Sequence, residues 1–212
     1  MLGIVLRGLA TAGARVAAPT AGEVIGVQGG RVIATEAAKG MATIVLAKEV
    51  AKDITQQQRC NKCEPYQRGN KHQLERPMGN EVNTQYQLKI ANLSSFPLTF
   101  KASPPFIKSG NKKPTTQIQE WNVAGVSFDG LWPMECILVE AKGRYAQFLD
   151  PKMNKFIKEN VFNLMYKEAK SQRTVVLMLK GAKLQWYFYE KETKKYFDDL
   201  ISNTIHTIYM PL

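Results

Sequence analysis

The chain has 212 residues, enough for one catalytic domain with an ordinary core plus an N-terminal extension, and too few for two full-sized domains. Its 29 Lys and Arg against 18 Asp and Glu give a formal charge of +11, a field that draws polyanions and leaves nucleic acid, an acidic membrane surface or an acidic protein as partner classes. Three cysteines, an odd number with one pair at C-x-x-C spacing, do not make the even framework of a disulfide-stapled secreted domain, so reduced thiols are expected.

The first nine residues are apolar but interrupted by Arg7 and lack the basic region that precedes a Sec-type signal, so no such signal is expected. No later run reaches the roughly 18 apolar residues of a membrane span, and no stable membrane insertion is expected. Residues 1–55 are rich in Ala, Gly and Val and hold no Trp, Phe or Tyr; they read as an extension with a helix over 35–53. That segment is either docked on the main domain or an amphipathic piece that meets a membrane or a delivery partner. At Gln56 the composition turns charged, polar and aromatic, and the main domain is placed at 56–212.

A polar loop carries Cys60 and Cys63, and Val82, Tyr86, Ile90 and Leu93 then recur at helical spacing over 81–93. Residues 97–114 form a basic, Pro-rich loop. Residues 118–129 are strand-like with a bend at Gly125, Gly130 to Pro133 supply a turn, and the run 136–140 (CILVE) reads as a buried strand that ends in a carboxylate. Asp150 and Pro151 fit the cap and first position of a helix over 151–173, with Ile157, Val161, Leu164 and Met165 at helical spacing. Residues 174–179 (TVVLML) read as a second buried strand, 184–189 as a third, 192–202 as a helix and 204–210 as a closing strand. Strands on both sides of a helix predict a crossover and a partly parallel sheet.

The chemistry sits in Val139-Glu140-Ala141-Lys142. The two-residue period of a strand puts Glu140 and Lys142 on one face, and charge at the end of a buried run is costly unless paired or bound to a metal. Asp129 lies eleven residues upstream, and a return through the intervening turn would bring it beside Glu140. Two carboxylates there suit a hard divalent cation, and an adjacent ammonium would orient or deprotonate a water or stabilise charge on a phosphate. The plain alternative is a salt bridge at a strand end.

The series Glu120-Trp121, Phe128-Asp129-Gly130 and LVEAKG over 138–143, followed by Tyr145 and Phe148, resembles the PD-(D/E)xK nuclease superfamily. More narrowly it resembles the restriction-endonuclease-fold toxins of class five, found in polymorphic toxins and type VI secretion effectors. Phe128 stands where the superfamily pattern has Pro. The resemblance implies an α/β (α+β) core with a mixed central sheet flanked by helices, and Asp129, Glu140 and the backbone carbonyl of Ala141 as ligands of Mg2+ or Mn2+. It also implies Lys142 as the catalytic lysine and DNA as substrate. It further implies delivery into a target-cell cytoplasm after a stay in the producer's cytoplasm, with secretion chaperone or delivery components as possible partners. A cognate immunity protein, expected to be acidic against this basic chain, would hold it harmless there.

Glu120 is a candidate further acid at the metal, or an exposed strand acid; Gln172 is a candidate polar group aimed at the site, or a solvent-facing helix end. Lys152, Lys155, Lys158, Lys167, Lys170 and Arg173, with the lysines of 101–113, form a candidate phosphate-holding face or a solvated one. Trp121, Trp186 and Tyr187 fit the core better than base stacking. Cys60, Cys63 and His72 offer at most three zinc ligands, short of a closed site, and two loop thiols are the plainer reading. The same residues leave open an RNase on this fold, a non-catalytic basic nucleic-acid-binding module, or an adaptor whose Glu140–Lys142 pair is structural.

Overall fold

The computed structural model describes residues 60–78, 80–107, 114–202 and 204–212. The expected extension over 1–55, its helix, the boundary at Gln56 and the lysines within 108–113 lie outside the described residues. In chain order the elements are α1 (Glu64–Arg68), β1 (Asn70–Arg76), α2 (Glu81–Asn92), β2 (Thr116–Val123), β3 (Val126–Phe128), β4 (Gly130–Trp132) and β5 (Ile137–Lys142). A 3-10 turn (Ala146–Leu149) follows, then α3 (Lys155–Met178), β6 (Lys183–Phe188), α4 (Lys191–Ile201) and β7 (His206–Tyr209).

Two sheets result. β1, β2 and β3 form an antiparallel sheet, in which the β2–β3 hairpin turns at Ala124 and Gly125, both at positive φ as a two-residue hairpin turn requires. β4, β5, β6 and β7 form a mixed sheet: β4 and β5 are antiparallel, and β6 and β7 continue parallel to β5. The parallel step from β5 to β6 is bridged by α3, the expected crossover. This is the mixed α/β architecture of a restriction-endonuclease-like core.

Alternation along β5 divides the core. Ile137 and Val139 face α2, where they pack with Tyr86, Ile90, Trp132 and Tyr187. Leu138 faces the other way, into a larger cluster with Phe162, Met165, Trp186, Phe188 and Phe197 from α3, β6 and α4. The mixed sheet is therefore covered on both faces, which is why 136–140 and 184–188 are nearly continuous apolar runs rather than alternating ones.

Four expectations are corrected. Residues 174–179 are not a strand; all but Leu179 belong to α3, whose buried stripe is Phe162, Met165, Ala169, Gln172, Val175 and Val176. A β-branched residue costs only tenths of a kcal/mol in a helix, and burying this face outweighs it; the Thr174 hydroxyl is accommodated by donating to the Lys170 carbonyl at 2.9 Å. Helix α3 starts four residues later than expected, capped by Asn154, whose side chain accepts from Phe156 N–H at 2.9 Å, while Asp150 instead accepts from Lys152 N–H in the preceding turn. Gly130 to Trp132 form β4, and the turn falls at 133–136. Cys63 is not a reduced loop thiol: it is bonded to Cys136, 73 residues away, leaving Cys60 as a buried free thiol. C-x-x-C spacing reports sequence neighbours, whereas the partner here is delivered by the 133–136 turn.

The packing of α2 on the mixed sheet explains a motif residue. A Cβ at Gly130 would lie 2.8 Å from Ala91 Cα, a backbone atom that cannot swing aside. Gly130→Ala should therefore push α2 off β4 and destabilise the protein by about 1–3 kcal/mol; an unchanged melting temperature would show that the contact is not needed.

Candidate active site

Asp129 is the single residue between β3 and β4, so it stands where the two sheets meet. Because Gly130 pairs with Val139, the flanking residues Asp129 and Glu140 become neighbours across the β4–β5 ladder. Asp129 Oδ2 accepts from the Ala141 N–H at 2.7 Å, which ties the acid to β5; its other oxygen has no donor among the described residues. The alternation that turns Leu138 toward α3 turns Glu140 and Lys142 the same way. Lys142 Nζ donates to Glu140 Oε1 at 2.6 Å and to the Glu168 carboxylate on α3, and lies 4.6 Å from the centre of the Trp186 ring.

The second candidates are also here. Gln172 is fully buried and aimed at the sheet, not a solvent-facing helix end: its Nε2 donates to Glu140 Oε2 at 2.6 Å and to the Ser127 carbonyl at 3.0 Å, and its Oε1 accepts from Trp186 Nε1 at 2.9 Å. Glu120 is buried rather than exposed, held by a two-pronged pairing with Arg76 at 3.0 and 2.9 Å. Trp121, Trp186 and Tyr187 are buried core residues. Together Asp129, Glu140, Lys142, Glu120 and Ala141 line one cleft of about 190 Å³, with Arg76, Gln87, Ser127, Tyr145 and Glu168.

Sequence reasoning missed Arg76 and Glu168. β1 has no apolar alternation to mark it as a strand, and only its pairing with β2, which sets Arg76 opposite Thr116, brings the guanidinium to the cleft. Glu168 could have been found from helical spacing, since it lies four residues before Gln172 and so shares its side of α3. Arg76 has a side chain 44% exposed, whereas Lys142 is almost wholly enclosed. Gly143 permits α2 to approach the cleft: a Cβ there would lie 2.2 Å from Asn83 Oδ1, the atom that accepts from Arg144 N–H at 2.9 Å.

The electrostatics are unbalanced. The charged residues of the cleft are four acids (Glu120, Asp129, Glu140 and Glu168) and two bases (Arg76 and Lys142), a formal excess of two negative charges inside a chain of net charge +11. Burial, and then the charges of Glu140 and Glu120, raise the Asp129 carboxyl well above its usual range against the opposing pull of Lys142. Burial and the Glu168 charge push Glu140 up to about 7, again against Lys142. For Lys142 burial works against the ammonium, but Glu140 and Glu168 outweigh it and raise its pKa, so it stays protonated.

This donor set fits a hard divalent cation. Two buried carboxylates short of positive charge, one with an unengaged oxygen, beside a backbone carbonyl at Ala141, match an ion such as Mg2+ that takes one or two carboxylates and keeps several waters. Among the described residues no group of three or more His, Cys, Asp or Glu side chains gathers to hold a metal ion; Glu120 is paired with Arg76, and Cys63 is bonded to Cys136.

Both acids have folded pKa values above their unfolded ones. Their contribution to stability is complete below the ordinary carboxyl range and is lost as the pH rises, through about 7 for Glu140. In EDTA the melting temperature should fall by several degrees between pH 5 and pH 8, and Mg2+ or Mn2+ should reduce that fall. A melting temperature that rises over this interval in EDTA would contradict the charge imbalance.

Residues 108–191, less than half the chain, match the family described as restriction endonuclease fold toxin 5. No curated protein matches the chain. Among the described residues no helix is long and apolar enough to cross a membrane. The matched stretch includes β2, ends at the start of α4 and holds Glu120, Asp129, Glu140, Ala141, Lys142, Glu168 and Gln172. Over that stretch the chain is similar to the restriction-endonuclease-fold toxins of this family.

Proposed function

We propose that this chain is an antibacterial nuclease that hydrolyses phosphodiester bonds of DNA in a target cell with Mg2+ or Mn2+. The observation that carries this reading is the cleft at the end of β5, where four acids outnumber two bases in a strongly basic chain. Asp129, Glu140 and the Ala141 carbonyl would hold the cation, which when bound supplies charge neutralisation and a more acidic water.

The residues of the chain divide the remaining work. Lys142, kept as an ammonium by Glu140 and Glu168, donates to a phosphate oxygen and stabilises the charge that builds there. Gln172 fixes the Glu140 carboxylate by one hydrogen bond and is itself fixed by Trp186, so the carboxylate cannot rotate away. Arg76, with guanidinium surface open to the cleft, grips the phosphate while Glu120 sets its orientation. The exposed cations of α3, Lys155, Lys167, Lys170 and Arg173, hold flanking phosphates without reading sequence.

A toxin of this kind is held harmless in its producer by an immunity protein, and a basic chain favours an acidic inhibitor. Delivery by a type VI secretion apparatus into the recipient's cytoplasm, with chaperone or delivery components as partners, completes the reading.

Plasmid DNA incubated with the full-length protein and Mg2+ should be cut, and EDTA should stop it. Glu140→Gln and Lys142→Met should each lower the rate by at least about 100-fold, while Arg76→Ala should chiefly raise KM. Intact plasmid beside degraded RNA would reassign the substrate; neither polymer cut, in Mg2+ or Mn2+, would overturn the enzyme.

A further inference from the structure

Beside the charged cleft lies a second one of a different character. About 360 Å³ in volume, it is lined by Val161, Leu164 and Met165 of α3 together with Lys142, Tyr145 and Glu168, and the last three line the catalytic cleft as well. The two clefts thus meet along a common border.

Its apolar wall comes from one stripe of this helix. Ile157, Val161, Leu164 and Glu168 recur at intervals of four, three and four residues, so they form one stripe that ends at the carboxylate paired with Lys142. Leu164 is 66% exposed and Ile157 44%, whereas the buried stripe of the same helix lies further round. The facing wall is built in advance: Glu190 accepts from the N–H groups of both Tyr145 and Ala146 at 2.6 Å, and the Tyr145 ring leans on Phe148 at 6.1 Å.

A ligand that fills both clefts must join a phosphate to an apolar group within a few bonds, with polar edges where the two regions meet. A nucleotide has that construction. Its phosphate suits Arg76 and Lys142, its base suits Leu164, Val161 and Tyr145, and the half-exposed Glu168 carboxylate can accept from an amino group on the base edge. Base pairs in a duplex keep these ring faces stacked inside the helix, out of reach of such a groove.

Resting on the nuclease reading above, we propose that the groove between α3 and Tyr145 takes the base of a nucleotide adjoining the scissile phosphate. The enzyme then favours strands whose bases are unstacked: single-stranded, frayed or locally opened nucleic acid. The groove closes on a base rather than on a folded partner because it shares its floor with the reacting cleft.

The test uses the full-length protein in EDTA, with fluorescence anisotropy of a labelled single-stranded oligonucleotide and its duplex. Wild type should bind the single strand at least several-fold more tightly. Leu164→Ser, at an exposed position where folding is not at stake, and independently Val161→Ser, should weaken single-strand binding by about tenfold and change duplex binding by less than twofold. An abasic oligonucleotide should bind wild type as weakly as the intact strand binds Leu164→Ser. Equal affinity for both polymers, serine effects that are equal on both, or a dimer that Leu164→Ser dissociates in sedimentation would each overturn the base-binding groove while leaving plasmid cleavage intact. A wild type that neither binds nor cuts any nucleic acid would instead bring down the nuclease reading, and the groove with it.

Discussion

The site is organised by one ammonium enclosed between two carboxylates. Taking Lys142 and Glu140 out of water is costly, and the cost is offset by their partners: Glu168 accepts a second hydrogen of the ammonium, Gln172 donates to the second oxygen of Glu140, and Trp186 donates to the carbonyl of Gln172. That chain of contacts links β5, α3 and β6. It fixes how α3 is rotated against the sheet, because Glu168 and Gln172 reach the strand only when Phe162, Met165 and Ala169 face the core. Catalytic geometry and core packing are here one problem with one solution.

The contrast between outside and inside follows from the same arrangement. If the chain is the nuclease proposed, a basic exterior would gather a polyanion over distances of about a Debye length, roughly 8 Å at physiological salt, while the acidic interior would oppose it until positive charge is added. A phosphate held near Arg76 would otherwise meet Glu120, Asp129 and Glu140. On the proposed nuclease reading, substrate capture and substrate turnover would be governed by opposite local fields.

How much of this could be read from the sequence depended on whether a residue's role was local. The abrupt change from Ile137, Leu138 and Val139 to Glu140 and Lys142 marks a buried strand that emerges into a site, since strand alternation and the cost of buried charge are properties of the segment itself. The helix over Glu81–Asn92 and strands β6 and β7 carry their own periodicity and were equally legible. The site chemistry at Arg76 was not, because β1 (NKHQLER) has no apolar face and exists through its ladder with β2. Residues 174–179 misled for the converse reason: a β-branched run suggests a strand, but packing of the α3 end decided otherwise. The helical spacing of Ile157, Val161, Leu164 and Met165 marks the helix without showing which side is inward, and Ile157 and Leu164 are exposed. The pairing of Cys63 with Cys136 depends on the completed fold, and no local signal announces it.

Asp129 occupies the lone step between the two sheets and grips the Ala141 N–H across it. The carboxylate is thus a fastener as well as a charge: with an alanine in its place, the seam between the sheets would loosen at the same moment as the negative charge vanished, and lost turnover would not tell the two apart. An asparagine retains the oxygen that holds the seam and discards only the charge. At this position mechanical and electrostatic duties are separable by exchanging an oxygen for an amide nitrogen.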